Sequence, residues 1–444
     1  MWPKILARSG PRRRNDEGLP VPPFLAPRRT GGAPAAPARP PPRTVSAMHV
    51  DVLVVGAGPA GVAAALTAHD RGLRTLVVDK ATFPRDKTCG DGLTAQALRL
   101  LERLGVDAPA ITGTVAVRQT VLVSPSGLEV ELPLPDSGVY SAVVPRRELD
   151  DALVRTARAR GIEVRTGAPL SRLAQTDDTL RALVGDEEID AAHVVAADGH
   201  WSAVRRVREP ESPTALGTWH AVRQYFSGVE DARQWVLFEE DLLPGYAWVF
   251  PLADGRANVG FGVLRRPGVS GKDLKALWPD VLQRPAMLRA LGPRAVTEGT
   301  HRAWPIPTTY DPRRLTDDRV LYVGDAASVV DPMTGEGIAQ ALETGILAAE
   351  AIARGGDIAR VTTRYRDSVE RALGRDLRFA SLLQRVLGSS LGARGAIRAA
   401  GLTAWTRRNF ARWMFEDYPR AVLVTPDRWR RSVLTGRGAF ASAS

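Results

Sequence analysis

An α/β architecture with an antiparallel β insertion and a helical C-terminal region is predicted by three stretches of this sequence. The first is Asp51-Val-Leu-Val-Val-Gly-Ala-Gly-Pro-Ala-Gly61, an apolar strand that runs into Gly56-x-Gly58-x-x-Gly61 and then into an alanine-rich helix. The second is the segment from about 216 to 300, where aromatic residues alternate at strand period. The third begins near residue 361, after which the chain is arginine-rich and amphipathic at helical period.

Taken in order, residues 1–47 hold eleven of the 33 prolines and little apolar periodicity, so this extension is expected to be disordered, a translated leader or a tail without structure, with Met48 read as the true start. In the first strand-turn-helix, Gly56 permits the tight turn, Gly58 lets the backbone approach a pyrophosphate, and Gly61 lets helix pack on strand; Pro59 and Ala60 open the helix. A second apolar strand, Thr75 to Val78, ends in Asp79 and Lys80, with the acid at the spacing where it takes ribose hydroxyls. This is a Rossmann-type dinucleotide unit.

A glycine-rich loop, Phe83 to Gly92, precedes leucines at helical spacing from Leu93 to Leu104. Residues 116–144 alternate as strands around Pro125-Ser-Gly127, Arg146 to Arg160 reads as a helix stopped by Gly161, and Ile162 to Arg165 as a strand. His193 to Ala197 is a buried strand ending in Asp198-Gly199, with a helix from Ser202. The strands Thr218–Phe226, Gln234–Asp241, Gly245–Leu252 and Ala257–Leu264 are expected to form an antiparallel meander. The chain returns with a strand from Arg319 to Gly324-Asp325 and a long helix from near Gly337. The expected partition is a discontinuous nucleotide-binding domain (48–115, 145–215, 301–360), an antiparallel substrate domain (116–144, 216–300) and a helical, Arg-rich region (361–444).

With 444 residues, 44% apolar and 25% charged, the chain has an ordinary globular composition. No apolar run approaches the roughly 20 residues of a spanning helix. The single cysteine, Cys89, excludes an intramolecular disulfide and fits a reducing cytoplasm. The net charge of +11 divides into +7 over residues 1–47, +10 over 361–444 and −6 over the body. Neither basic end interleaves aromatics for RNA or carries a helix-turn-helix, so no nucleic-acid partner is expected. No metal site is expected.

Three separated motifs converge on one ligand. The first glycine turn holds a pyrophosphate, Asp198-Gly199-x-x-Ser202-x-x-Arg205 makes a second turn, and Gly324-Asp325 brings a carboxylate to a ribityl or ribose hydroxyl. Gly335, Gly337 and Ile338 then place a helix N-terminus where its dipole favours the negative charge of a reduced flavin. Together these describe an FAD site.

At this point the chain resembles the geranylgeranyl reductase family within the para-hydroxybenzoate-hydroxylase-like flavoproteins, over about residues 50–355. Phe83-Pro-Arg-Asp-Lys-Thr-Cys89-Gly-Asp-Gly-Leu93 is similar to the family's cysteine loop. Pro244-Gly-Tyr246-Ala-Trp248-Val-Phe250-Pro251 is similar to its Tyr-x-Trp-x-Phe-Pro signature and is followed by Asn258-Val-Gly260. Menaquinone reductases of actinobacteria look most similar among its members. The resemblance implies FAD, a prenyl substrate, saturation of isoprenoid double bonds, and cofactor contacts from Arg146 and from the loop at Cys89 and Gly90. Thr88 and Asp91 depart from the family's usual loop residues.

The residues themselves agree with that implication. Tyr246, Trp248 and Phe250 share one face of a strand and are expected to form a flat aromatic wall that orients an allylic chain. Cys89, read as lying just before a helix, is expected to have a lowered pKa and to face the flavin, where a thiol can act as proton donor beside hydride from the cofactor. Electrons are expected from NADPH, ferredoxin or another reductase. Cations and aromatics mixed from Trp405 to Phe415 suit contact with a membrane surface, which makes a cytoplasmic protein with peripheral membrane contact the expected location. The alternative activity is that of an FAD-dependent monooxygenase on a terpenoid or aromatic metabolite. It is disfavoured because Ser328-Val-Val-Asp331-Pro-Met-Thr-Gly-Glu336-Gly stands where such enzymes carry His-x-x-x-Pro and Gly-Gln-Gly-x-Asn.

Overall fold

The computed structural model describes residues 48–211, 217–265, 271–415, 421 and 438–441. The expectation of disorder over 1–47 and most of the basic tail beyond 415 lie outside the described residues.

Strand β1 (Met48–Val55) passes through the glycine turn into α1 (Pro59–Asp70) and returns as β2 (Thr75–Asp79). A loop leads to the short β3 (Gly92–Thr94) and α2 (Ala95–Arg103), then to β4 (Val115–Ala116) and the hairpin of β5 (Gln119–Val123) and β6 (Glu129–Pro133). Next come β7 (Ser141–Val143), α3 (Arg146–Ala159), β8 (Glu163–Thr166), the hairpin of β9 (Leu170–Gln175) and β10 (Leu180–Val184), the long β11 (Glu187–Ala196) and α4 (Ala203–Arg208). The insertion comprises β12 (Trp219–Ser227), β13 (Gln234–Leu237), β14 (Tyr246–Leu252), β15 (Arg256–Leu264), α5 (Gly271–Leu282), α6 (Pro285–Leu291) and β16 (Val296–Ile306). After the insertion come β17 (Thr316–Asp317), β18 (Val320–Tyr322), α7 (Ile338–Ala353), α8 (Ile358–Val369), α9 (Arg375–Leu387), α10 (Ser390–Gly401) and α11 (Ala404–Phe415). Among the described residues no helix is long and apolar enough to cross a membrane.

The central sheet has the order β8-β2-β1-β11-β18-β17, with its first five strands parallel. Leu53, Val54, Leu76, Val77, Val194 and Val195 are fully buried, as strands covered on both faces require. The chain leaves β1 toward β2 on one side and later returns to β11 on the other, so a crevice opens at the strands' C-terminal ends. Helices α1 and α7 pack backbone to backbone: a Cβ on Gly345 would lie 2.2 Å from the Ala60 carbonyl oxygen.

The second sheet runs β16-β12-β15-β14-β13-β5-β6, with only β13 and β5 parallel. Alternation sorts its faces. Val222, Ala247, Val249, Val259 and Phe261 share a core with Trp278 of α5 and Met287 of α6. Tyr246 and Phe250 pack on the opposite side with Leu122, Leu132 and Val236. A third sheet, β3-β7-β4, stands apart from these two.

Two sequence expectations need correction, and one hairpin has no reading in the sequence. Helices α5 and α6 occupy part of the region read as continuous strands; Leu274, Trp278 and Val281 recur at helical period and are buried. The meander is broken, because β12 lies between β15 and β16 rather than beside β13. The β9-β10 hairpin, which pairs antiparallel with the first half of β11, carries an alternation too short to read.

The α1–α7 contact yields a test of sign. Helix propensity alone makes Gly345→Ala stabilising by about 1 kcal/mol. The clash with Ala60 reverses this, and urea denaturation should show a net loss of about 1–3 kcal/mol.

Candidate active site

The first turn is built by steric exclusion. Gly56 has φ +107°, and a Cβ on it would stand 2.4 Å from the Ala197 carbonyl oxygen; one on Gly61 would stand 1.8 Å from the Gly56 carbonyl oxygen. Helix α1 begins at Pro59 after Gly58 with no side-chain cap and no acid in its first turn. Its unpaired N–H groups and positive end are therefore open to an anion such as a pyrophosphate. Asp79, buried at the end of β2, accepts from the Ala57 N–H at 2.7 Å and from the Ala81 N–H at 2.8 Å. Each oxygen retains a lone pair for a ribose hydroxyl.

Two further turns complete the crevice. After β11, Asp198 accepts from the Val204 N–H at 3.0 Å through Oδ2, while its buried Oδ1 has no protein partner. Burial raises this carboxyl's pKa against the hydrogen bonds from Val204 and Ser202. After β18, Gly324 fits where a Cβ would lie 3.2 Å from the Ala60 methyl and 3.3 Å from that of Ala341. Asp325 beside it pairs with Lys87 at 3.4 Å. Helix α7 starts after Gly337, but the Glu336 carboxylate accepts from the Ala339 N–H at 2.8 Å. The dipole expected at Gly337 is thus already answered in part by an acid that lines the same cavity.

Of the residues expected at the cofactor, Gly56, Gly58, Pro59, Ala60, Asp79, Lys80, Cys89, Gly90, Arg146, Asp198, Gly199, Gly324, Asp325, Gly335, Gly337 and Ile338 line one cavity of about 540 Å³. Gly61 does not; it lies under the turn as a packing contact. Tyr246, Trp248 and Phe250 line that cavity too.

The aromatic strand and the cysteine loop lie side by side, with room between them for little more than a methyl group. A Cβ on Gly90 would lie 3.6 Å from the Trp248 ring and 3.7 Å from the Phe250 ring, and one on Gly92 would lie 3.2 Å from Phe250. The wall is not flat as expected: Tyr246 and Trp248 are inclined at 60° with centroids 6.1 Å apart, Trp248 and Phe250 at 38° and 6.0 Å. Tilted rings give a faceted surface, favoured over coplanar sandwiches by the ring quadrupoles. Tyr246 donates its hydroxyl to the Thr334 carbonyl and so ties this strand to the turn before α7.

Arg146, buried at the start of α3, gives Nε and Nη2 to the two Asp150 oxygens at 2.9 Å each, and Arg85 reaches the same carboxylate at 3.2 Å. Burial opposes the Arg146 charge, yet the Asp150 carboxylate holds its pKa above the ordinary arginine value. The expectation for Cys89 changes. Strand β3 separates it from α2, whose first turn is capped by the Thr94 side chain. Burial pushes the thiol pKa up, and Arg146 opposes this only in part, so Cys89 is a protonated thiol on the cavity wall at neutral pH.

Asp150, Tyr225 and Asn258 are site residues that sequence reasoning assigns no role. A signal exists for Asn258: it lies on the cavity-side face of β15, between Ala257 and Val259 of the opposite core. The glycine cradles, the open start of α1 and the partnerless Asp198 oxygen fit an extended dinucleotide such as FAD. Gly56→Ala should therefore purify without flavin absorbance, while circular dichroism reports whether the fold survives.

Comparison with known proteins agrees. The FAD binding domain family matches residues 49–354. Menaquinone reductase of Mycolicibacterium smegmatis is 35% identical over 332 residues, covering 69% of this chain and 77% of that protein. Digeranylgeranylglycerophospholipid reductase 2 of Methanopyrus kandleri is 31% identical over 351 residues, covering 75% and 85%. A geranylgeranyl bacteriochlorophyll reductase-like protein of Thermoplasma acidophilum shares the fold, with a TM-score of 0.72 at 23% identity over 86% of this chain and 100% of that one. A flavin-dependent brominase does so with a TM-score of 0.65 at 20% identity, over 86% and 100%.

Proposed function

Because the chain belongs to the FAD-binding flavoprotein family that includes the menaquinone and digeranylgeranylglycerophospholipid reductases, we propose that it saturates C=C bonds of a prenyl chain. When bound, reduced FAD supplies the hydride. The observation that carries this reading is the close approach of the cysteine loop to the tilted rings of Trp248 and Phe250, inside the cavity that the dinucleotide turns line.

The chain's own residues supply the rest. Tyr246 and Trp248 present aromatic faces to a substrate with little to hydrogen-bond, so orientation comes from area, and the same faces stabilise positive charge at an alkene carbon. Cys89, protonated at neutral pH, holds a proton at Sγ on the cavity wall. Asp150 fixes Arg146 beside it, and the Lys87–Asp325 pair keeps a second cation in place. Electron supply is assigned to a separate donor, NADPH, ferredoxin or another reductase.

The C-terminal helices support peripheral contact with a membrane. Gln384 and Leu387 of α9 line the cavity, while Leu382, Val386, Leu391, Leu402 and Trp405 are exposed on α9 to α11. Trp405 is 74% exposed and Leu391 82%, with Arg385, Arg394, Arg398 and Arg407 in the same helices. Apolar side chains among cations form the pattern of an interfacial surface.

Two outcomes check this reading. Protein with flavin reduced in the absence of oxygen should reoxidise it on addition of a short-chain menaquinone or geranylgeranyl diphosphate, and mass spectrometry should show a product gaining two hydrogen atoms. Flavin that stays reduced until oxygen enters, with a product gaining one oxygen atom, identifies a monooxygenase instead. In flotation assays the protein should rise with vesicles containing anionic lipid, and Leu391→Glu combined with Trp405→Glu should abolish this while leaving the flavin bound.

A further inference from the structure

The cysteine loop closes on a residue that neither the dinucleotide turns nor the aromatic strand explains. Asp91 is fully buried and has a left-handed backbone at φ 63°, which most side chains avoid. Its Oδ2 accepts from the Tyr225 hydroxyl at 2.8 Å and from Nδ2 of Asn258 at 2.7 Å. Its Oδ1 accepts from the backbone N–H of Arg146 at 3.2 Å. Asn258 continues the chain of contacts, donating from Nδ2 to the Cys89 carbonyl at 2.8 Å and accepting at Oδ1 from the Trp248 indole at 3.1 Å.

One carboxyl group therefore joins the loop to β12, to β15 and through it to β14, and to the start of α3. The charged groups around it are few. Arg223 lies 4.2 Å over the Tyr225 ring and pairs with Asp86, and Arg146 is held by Asp150. Burial raises the Asp91 carboxyl to about 6, with Asn258, Tyr225 and Arg223 opposing the rise. A buried acid on a strained backbone is costly, and such positions persist where they hold a functional segment in place.

We propose that Asp91 is the positioning residue of the cysteine loop, setting Cys89 and Gly90 against the Trp248 ring by accepting simultaneously from Asn258, Tyr225 and the first turn of α3. Held there, the thiol stays half-buried, and burial together with the neighbouring Asp91 charge keeps its proton on. Asparagine cannot replace the acid, because an amide has one acceptor oxygen and would turn N–H donors toward donors. The inference rests on the reductase reading for the use of that proton, but the linkage itself does not.

Cys89 is the only cysteine in the sequence, so alkylation by iodoacetamide of the full chain reports on this loop alone. The wild-type rate should rise with pH through a midpoint above that of an ordinary thiol. Asp91→Asn, and the milder Tyr225→Phe, should lower that midpoint by about one unit, which at pH 8 gives about tenfold more thiolate and correspondingly faster labelling. Both variants should lower kcat while KM for the prenyl substrate holds. If the variants are folded by circular dichroism and Tyr225→Phe, which keeps the Asp91 charge, labels with the wild-type profile, Asp91 acts through its charge or on the fold alone and the proposal is overturned. Should Asp91→Asn fail to fold, the Tyr225→Phe profile decides. Labelling needs no substrate, so its result stands whether or not the chain reduces prenyl double bonds.

Discussion

The site depends on backbone meeting backbone where β1, α1, α7 and β11 converge. Gly56 against Ala197, Gly61 against Gly56 and Gly345 against Ala60 leave no room for a side chain, and Gly324 leaves little between Ala60 and Ala341. These contacts bring the starts of two helices to the C-terminal edge of one parallel sheet, so two positive dipole ends face one crevice. The two ends differ. That of α1 has no acid in its first turn, whereas that of α7 is partly answered by Glu336. The first is therefore the stronger anion site, consistent with a pyrophosphate at Gly56 to Gly61 and a less charged group near Gly337.

Much of this architecture was readable because its causes are local. A strand, three spaced glycines and a terminal acid are consecutive in sequence, and so are the alternating aromatics of β14. What stayed hidden depends on contacts distant in the chain. The place of β12 between β15 and β16 follows from pairings across some 40 and 80 residues. Cys89 was misjudged for a similar reason: its loop precedes a helix in sequence, yet β3 pairs with β7 and holds α2 away, so burial rather than a dipole sets the thiol. Asn258 lay within a motif, but its function arises only when the loop folds onto β15.

The cavity combines two regimes that would conflict if they overlapped. Its dinucleotide wall carries Asp79, Lys80, Asp198, Asp325 and the turn amides, while the wall at β14 carries rings. The charges between them are paired, Arg146 and Arg85 on Asp150 and Lys87 on Asp325, with Lys87 also 5.2 Å from the centre of the Trp304 ring. Pairing matters because an uncompensated charge beside an apolar ligand is costly. For the proposed reaction, such a setting suits a neutral proton donor better than an anion, and the Cys89 thiol, whose pKa burial raises, is the group proposed for that role.

Access for the proposed substrate follows from the same physics. Each isoprene unit adds five carbons, and carrying one through water costs about 3–4 kcal/mol at roughly 0.8 kcal/mol per buried carbon. A long prenyl chain therefore enters readily only where the protein surface is continuous with its lipid environment. Helix α9 reaches from the cavity to the surface: Gln384 and Leu387 line the cavity while Leu382 and Val386 of the same helix are exposed, which suits the membrane contact proposed above. Its inner side is anchored by Gln384 donating to the Pro332 carbonyl at 3.0 Å, in the segment that also carries the Tyr246 contact at Thr334. The membrane contact proposed above, if made through α9, therefore falls on a helix tied to the turn between the aromatic strand and the start of α7.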